Sequence, residues 1–224
     1  MGIKYSASMM CANYANLEKE VLELEDAGID SFHIDLMDGQ FVHNFGMGIQ
    51  DLELIRKVTK KPVELHLMLQ HPGDYLDIFV NERPDVIYVH PEADYHPTNT
   101  LAKIRSAGIT PGLVINPGTS VEYVRELLYY VDEVMVMSVN PGNAGQQYLP
   151  YVGQKIDHLL ELCDTYHFHV CWDGACGEDK IRKYAPRGVE KFVLGTTVLF
   201  GHHRSYKAIL ENLRKQEENI LKGR

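Results

Sequence analysis

The sequence predicts a single-domain (β/α)8 TIM barrel over residues 1–224. Eight short apolar runs with strand composition alternate with eight amphipathic stretches, as in a parallel barrel of about 250 residues at its typical size. No G-x-G-x-x-G fingerprint follows the first strand, and the repeat reaches eight without a break, which disfavours an open doubly wound sheet. No linker, low-complexity segment or change in composition marks a domain boundary.

The first β/α unit has a strand near Tyr5 to Ser8 and a helix from about Tyr14 to Ala27. Asn13 is suited to cap this helix and Gly28 to end it. The later units repeat the same alternation of apolar runs and amphipathic stretches. Further strands are predicted at 32–39, 62–68, 86–89, 110–114, 133–137, 169–172 and 191–194, and further helices at 51–58, 74–81, 98–107, 121–129, 151–166, 178–184 and 206–221. In the last helix, the Glu217-Glu218 pair is most simply a solvated face.

Composition excludes several classes of partner. The formal net charge is −9 and no basic run exceeds a pair, which argues against nucleic acid and anionic membranes and favours a small-molecule partner. The four cysteines form no Cys-x-x-Cys pair, as expected in a reducing cytoplasm. The sequence shows no apolar signal core and no run of about 18 apolar residues that would span a membrane.

The second strand combines strand composition with ionisable side chains. Because side chains alternate along a strand, His33, Asp35 and Met37 share one face, and the opposite face is an apolar row. A His and an Asp on one face, before Asp38-Gly39, have the character of metal ligands at a strand end. When this pair is considered alone, a histidine hydrogen-bonded to a neighbouring carboxylate is the better explanation.

Two other strand ends supply similar residues. His66 lies on the same face of the third strand as Glu64, and Asp173 ends the seventh strand before Gly174. Individually, His66 fits a packed core histidine and Asp173 fits a turn or helix cap. Together with His33 and Asp35 they would form a mixed nitrogen and oxygen site, suited to a divalent zinc, manganese, iron or cobalt ion and too rich in nitrogen for calcium.

Small residues follow the last three strands. Backbone N–H groups can approach an anion closely at such positions, and barrels often bind phosphate between the loops after strands seven and eight. Each glycine is also compatible with simple turn chemistry. The residues are Gly142, Asn143, Ala144 and Gly145 after strand six, Gly174 and Ala175 after strand seven, and Gly195, Thr196 and Thr197 after strand eight.

These motifs together resemble the ribulose-phosphate 3-epimerase family, which includes D-allulose-6-phosphate 3-epimerase. The resemblance covers nearly the whole chain and rests on the motifs Ala7-Ser8-Met9-Met10, His33-Ile34-Asp35-Leu36-Met37-Asp38-Gly39, Leu65-His66-Leu67-Met68, Met137-Ser138-Val139-Asn140-Pro141-Gly142, Asp173-Gly174 and Gly195-Thr196. It implies a metal-dependent enzyme that inverts carbon 3 of a 2-ketose phosphate, in a homo-oligomer.

The resemblance also implies roles for individual residues. The divalent metal would be bound by His33, Asp35, His66 and Asp173, with Asp35 and Asp173 also acting as acid and base. The loop after strand six would close over the substrate. The sugar phosphate would be contacted by Ser8, His66, Gly142, Asn143, Ala144, Gly145, Gly174, Ala175, Gly195 and Thr196.

Some positions depart from the common family pattern. An aromatic residue is common where Asn143 stands, and a second glycine where Ala144 stands, so the lid contact and the substrate preference are expected to differ. Ala144, Met10-Cys11 and His90-Pro91-Glu92 resemble the D-allulose-6-phosphate branch, which favours a hexulose phosphate over D-ribulose 5-phosphate.

Two other functions are compatible with a phosphate-binding barrel. A decarboxylase of the orotidine-phosphate type would need the lysine of an Asp-x-Lys-x-x-Asp array, but no lysine occurs between Lys19 and Lys57. A non-catalytic sugar-phosphate-binding barrel would tolerate the loss of one acid/base group, whereas Asp35 and Asp173 are both present.

Overall fold

The computed structural model describes residues 2–221 and confirms the predicted barrel. Eight parallel strands pair in chain order, and β1 closes the ring by pairing with β8. The strands are β1 (Lys4–Ser8), β2 (Ser31–Met37), β3 (Val63–Met68), β4 (Val86–Val89), β5 (Thr110–Ile115), β6 (Glu133–Met137), β7 (His169–Asp173) and β8 (Val189–Leu194). The helices are α1 (Leu17–Asp26), α2 (Ile49–Val58), α3 (Pro72–Asn81), α4 (Pro97–Ser106), α5 (Val121–Val124), α6 (Val152–Tyr166), α7 (Glu178–Tyr184) and α8 (Tyr206–Leu221).

The element boundaries differ little from the predicted ones. The first helix begins with a 3-10 turn, Tyr14–Asn16, whose N-cap Asn13 accepts a hydrogen bond from the Ala15 amide. The predicted helix at 121–129 is α-helical only in α5 and continues as the 3-10 helix Arg125–Tyr130. Strand β8 begins two residues earlier than predicted, directly after Gly188, whose φ of 119° turns the chain into the strand.

The main hydrophobic core lies between the outer face of the barrel and the helices. Phe32, Ile34 and Leu36 of β2 point into it, as the alternation predicts. Trp172 is fully buried and packs against Tyr184 and Phe192, at ring-centroid distances of 4.8 and 6.5 Å. Burying each such side chain stabilises the fold by about 1.5–3 kcal/mol. Among the helices at residues 2–221, none combines the length and apolar character needed to cross a bilayer.

The interior of the barrel contains a buried ionic cluster. Lys191 Nζ lies 2.8 Å from Glu64 Oε1 and 2.7 Å from Glu133 Oε2. The Tyr88 hydroxyl donates a hydrogen bond to Glu133. The positive charge of Lys191 therefore compensates two carboxylates that have little access to water.

Replacing Lys191 by Met should lower the free energy of unfolding by about 3–5 kcal/mol, because it leaves the buried Glu64 and the partly buried Glu133 without their lysine partner. Urea denaturation measures the change. Lys103→Met is the control, because Lys103 forms an exposed pair with Asp77 and its loss should cost less than about 1 kcal/mol. Equal losses in the two variants would contradict a stabilising role for the interior cluster.

One expectation for the last helix is wrong. The Glu217-Glu218 pair fits a solvated face in the sequence, but Glu217 is buried and only Glu218 is exposed. Glu217 accepts a hydrogen bond from the Ile3 amide at 2.6 Å and pairs with Arg214 at 2.9 Å. The residue before β1 and an arginine one turn earlier in α8 therefore provide the partners that allow this carboxylate to be buried.

Candidate active site

Strands β2, β3 and β7 bring the four predicted metal ligands together inside the carboxyl end of the barrel. The register of β2 and β3 places Asp35 beside His66, and Asp173 is the last residue of β7. His33 and His66 are fully buried and Asp35 is nearly so, whereas the Asp173 side chain keeps some exposure to the cavity above. One potential ligand atom from each of the four residues lies within 4.8 Å of the others.

The distances within this cluster fit a shared divalent ion. His66 Nδ1 lies 3.1 Å from Asp35 Oδ1 and 3.3 Å from His33 Nε2. Asp173 Oδ2 lies 3.6 Å from His66 Nδ1 and 3.9 Å from His33 Nε2. Ligands bound to one ion at about 2.0–2.2 Å have mutual spacings of this size. The donor set of two imidazoles and two carboxylates suits zinc, manganese, iron or cobalt.

The two aspartates have opposite electrostatic environments. Burial alone would raise the pKa of Asp35, but the charge of His33 and a hydrogen bond with His66 outweigh it and lower the pKa. Ser8 Oγ also donates a hydrogen bond to Asp35 Oδ2, at 2.9 Å. Burial raises the pKa of Asp173, and the charge of Asp35 raises it further against the opposing effect of His33. Carboxyl groups with diverging pKa values are suited to the roles of base and acid.

The predicted substrate contacts surround one cavity above this cluster. Asp35 and Asp173 lie at its floor together with Met68 and Met137, whereas His33 does not reach its surface. Cys11, Asn140, Gln146 and Thr197 also line the cavity. The predicted residues that line it are Ser8, His66, Gly142, Asn143, Ala144, Gly145, Gly174, Ala175, Gly195 and Thr196.

The turn after β7 has a backbone conformation that brings it close to neighbouring groups. Gly174 has a φ of 87°, and a Cβ there would lie 2.6 Å from the Val139 side chain. Ala175 also has a positive φ, 39°, which is uncommon for a residue with a Cβ. Ser138 Oγ donates a hydrogen bond to the Gly174 carbonyl at 2.5 Å, which fixes this turn against the loop after β6.

The loops after β2 and β6 are joined across the mouth of the cavity. Asn44 Nδ2 donates hydrogen bonds to the Gly142 carbonyl at 2.7 Å and to Asn143 Oδ1 at 3.3 Å. Gln146 Nε2 donates to the Asn143 carbonyl at 2.8 Å, inside the second loop. Asn44 was not among the predicted site residues, because its partner lies 98 residues away in the chain.

His90 and Glu92 are also absent from the predicted set. His90 is fully buried, and its Nε2 lies 2.8 Å from His66 Nε2. Glu92 follows in the 3-10 turn Pro91–Ala93. Continuing the alternation of β4 by one residue would have placed His90 on the inner face with Tyr88. The alternation of side chains along a strand was therefore sufficient to predict His90.

Comparisons with known proteins identify one family. Residues 4–199 match the family model described as Ribulose-phosphate 3 epimerase family. The ribulose-phosphate 3-epimerase of Helicobacter pylori is 34% identical over 97% of this chain and 100% of its own length. That of Bacillus subtilis is 33% identical over 93% of this chain and 97% of its own length.

One solved structure extends the comparison to the fold. The crystal structure of KGPDC from Streptococcus mutans has a TM-score of 0.75 with 10% identity. The match covers 98% of this chain and 99% of that chain. At this identity, the similarity concerns the barrel alone.

Proposed function

Because the chain belongs to the ribulose-phosphate 3-epimerase family, we propose that it inverts carbon 3 of a 2-ketose phosphate with Asp35 and Asp173 as the acid/base pair. The observation that carries the proposal is the meeting of two carboxylates with diverging pKa values and two buried histidines below one cavity. The family makes the protein an isomerase that acts on carbohydrate phosphates.

The reaction requires two acid/base groups. Inverting carbon 3 removes a proton beside the carbonyl and returns a proton to the opposite face of the planar intermediate. Asp35, whose pKa is lowered, would accept the proton on one face, and Asp173, whose pKa is raised, would return a proton on the other. After one turnover the two protonation states are exchanged, and the reverse reaction uses the carboxyl groups in the opposite roles.

The four clustered residues would hold the divalent ion. His33 and His66 would bind it through neutral ring nitrogens, and Asp35 and Asp173 through carboxylate oxygens. A bound ion would supply positive charge that stabilises the negative charge of an enediolate. We propose zinc, manganese, iron or cobalt for this site, because the donor set contains both nitrogen and oxygen.

The remaining cavity residues would bind the substrate. Backbone N–H groups around Gly174 and Gly195, and those of the loop at 142–145, line the cavity and would bind the phosphate. Ser8 and His66 would face the sugar. The lid at 142–145 would exclude water from the intermediate.

Two substrate pairs fit this proposal. D-ribulose 5-phosphate and D-allulose 6-phosphate differ by one CHOH unit between the reacting carbons and the phosphate. The names of the curated relatives support the pentulose pair, whereas Ala144 and Met10-Cys11 resemble the D-allulose-6-phosphate branch and support the hexulose pair. We favour the hexulose phosphate on these residues.

The experiment offers both substrates separately to metal-loaded and chelator-stripped protein and follows their conversion to D-xylulose 5-phosphate or D-fructose 6-phosphate by NMR. We expect conversion that depends on the metal, and faster conversion of D-allulose 6-phosphate. If metal-loaded protein converts neither substrate, the epimerase proposal is wrong, and binding of the sugar phosphates by the same protein would instead support a non-catalytic barrel.

The contact between the two loops should affect substrate affinity. Replacing Asn44 by Ala removes its hydrogen bond to the Gly142 carbonyl, which is worth about 0.5–1.5 kcal/mol. We expect KM to rise by about 2- to 12-fold, with a smaller change in kcat. Asn212→Ala is the control, because Asn212 donates a similar hydrogen bond to Glu178 away from the cavity. An unchanged KM in Asn44→Ala would show that this contact does not hold the lid.

A further inference from the structure

The two ring nitrogens of His66 have different surroundings. Nδ1 faces the metal cluster, 3.1 Å from Asp35 Oδ1. Nε2 faces away from the cluster and lies 2.8 Å from Nε2 of His90. A neutral imidazole that binds a metal through one nitrogen carries its hydrogen on the other. His66 therefore needs a hydrogen-bond acceptor at Nε2, and the His90 ring is in the position to be that acceptor.

The contact between the rings determines the tautomer of His90. Two nitrogens 2.8 Å apart are held by one shared hydrogen, so His90 Nε2 must be bare if His66 Nε2 carries the hydrogen. The hydrogen of His90 is then on Nδ1. Nδ1 lies 3.7 Å from Glu92 Oε2. Neither of these two buried atoms has another hydrogen-bond partner among the described residues.

Glu92 is held firmly on its other side. Its Oε1 accepts hydrogen bonds from the Thr119 hydroxyl and from the Asn116 amide. Hydrogen bonds and the His90 imidazole lower the pKa of Glu92 against the opposing effect of burial, so the carboxylate is ionised at neutral pH. A fixed carboxylate facing His90 Nδ1 favours the tautomer with hydrogen at that nitrogen. A bare Nδ1 is itself an acceptor, and its lone pair would repel the carboxylate oxygen of Glu92.

We propose that Glu92 and His90 are positioning residues that hold His66 with a bare Nδ1 toward the metal. In this arrangement His66 Nε2–H donates a hydrogen bond to His90 Nε2, and His90 Nδ1–H faces the Glu92 carboxylate. The inference rests on the proposed function only in taking the His66 cluster as a metal site. The comparable carboxylate behind His33 is Glu64, whose Oε2 lies 3.5 Å from His33 Nδ1. His66 differs because a second imidazole separates it from its carboxylate.

Removing the acceptor tests this arrangement through metal affinity. His90→Phe keeps a buried aromatic ring but offers His66 no acceptor, and we expect a 10- to 100-fold weaker affinity for Zn²⁺ or Co²⁺, measured by competition with a chromogenic chelator. His90→Gln, whose amide oxygen is an acceptor, should recover at least part of the loss. An affinity in His90→Phe equal to that of wild type would overturn the proposal.

A matched control separates packing from hydrogen bonding. Phe41 packs against the His90 ring with centroids 4.8 Å apart, so Phe41→Leu disturbs the packing of His90 without removing the acceptor. We expect its metal affinity to stay within about 2-fold of wild type. A loss as large as that of His90→Phe would assign the effect to packing and overturn the proposal. Thermal unfolding of the metal-free variants checks that each is folded.

The tautomer in the Zn²⁺-loaded protein gives a second readout that needs no substrate. Long-range ¹H–¹⁵N correlation spectra of ¹⁵N-histidine-labelled, Zn²⁺-loaded wild type should show His90 protonated at Nδ1, and Glu92→Gln loaded with Zn²⁺ should reduce that preference. Protonation of wild-type His90 at Nε2 would contradict the inference. Because these measurements involve no sugar phosphate, a failure of the epimerase proposal would appear only in the conversion assay.

Discussion

Replacing Asp173 by Asn should lower kcat for epimerisation by about 10²–10⁴-fold, the usual contribution of a positioned acid or base. In the wild type, the Gly174 amide donates a hydrogen bond to Asp173 Oδ1 at 2.7 Å. Asparagine has the same size and an oxygen that can accept this hydrogen bond. It cannot donate or accept the carbon-bound proton. Asp35→Asn should have an effect of the same order, because each inversion needs both groups.

The measurement is kcat with metal content determined on the same samples, since both aspartates also belong to the metal cluster. Asp179→Asn is the matched control, because Asp179 is exposed and pairs with Lys180 in α7. It should retain activity within about 2-fold of wild type. An Asp173→Asn enzyme that binds metal and keeps more than a tenth of wild-type kcat would contradict the acid/base assignment.

Losing a metal ligand should have the second large effect. His33→Gln removes one of the four clustered ligands, and His33 does not line the cavity, so the substrate contacts remain. We expect metal affinity to fall by more than the 10- to 100-fold that losing an outer partner typically costs. Epimerase activity should fall in parallel and recover partly at high metal concentration.

Elemental analysis and a metal titration of activity check this result. His158→Gln is the control, because His158 lies half-exposed on α6 near Glu122, outside the cavity. Its metal content and activity should match wild type. The contradicting result would be full activity in chelator-stripped protein that elemental analysis shows to be metal-free. In that case the proposed reaction would not need a metal.

The residues that the sequence reveals are those whose position follows from local periodicity. Alternation along β2 and β3 places His33, Asp35 and His66 inside the barrel, and the shared edge of parallel strands brings Asp173 to them. The same reasoning, continued one residue beyond β4, could have found His90, which directly follows the strand. These predictions need only the pleat and the strand order.

Contacts between distant segments could not be predicted in this way. Lys191 pairs with Glu64 and Glu133 across the barrel, and the identity of a charged residue's partner is not encoded in its own neighbourhood. Glu217 looked solvated because nothing near it in sequence indicates that the Ile3 amide would reach it. Asn44 reaches Gly142 through the path of two irregular loops, which have no periodicity to extrapolate.

Proton exchange at carbon 3 in deuterated water tests the central claim most directly. Wild type should incorporate solvent deuterium at carbon 3 of both epimers while interconverting them. Asp173→Asn should lose interconversion but retain exchange on one epimer, because only the face served by Asp35 keeps its acid/base group. Interconversion by wild type without any entry of solvent deuterium would contradict a mechanism in which two carboxyl groups exchange protons with water.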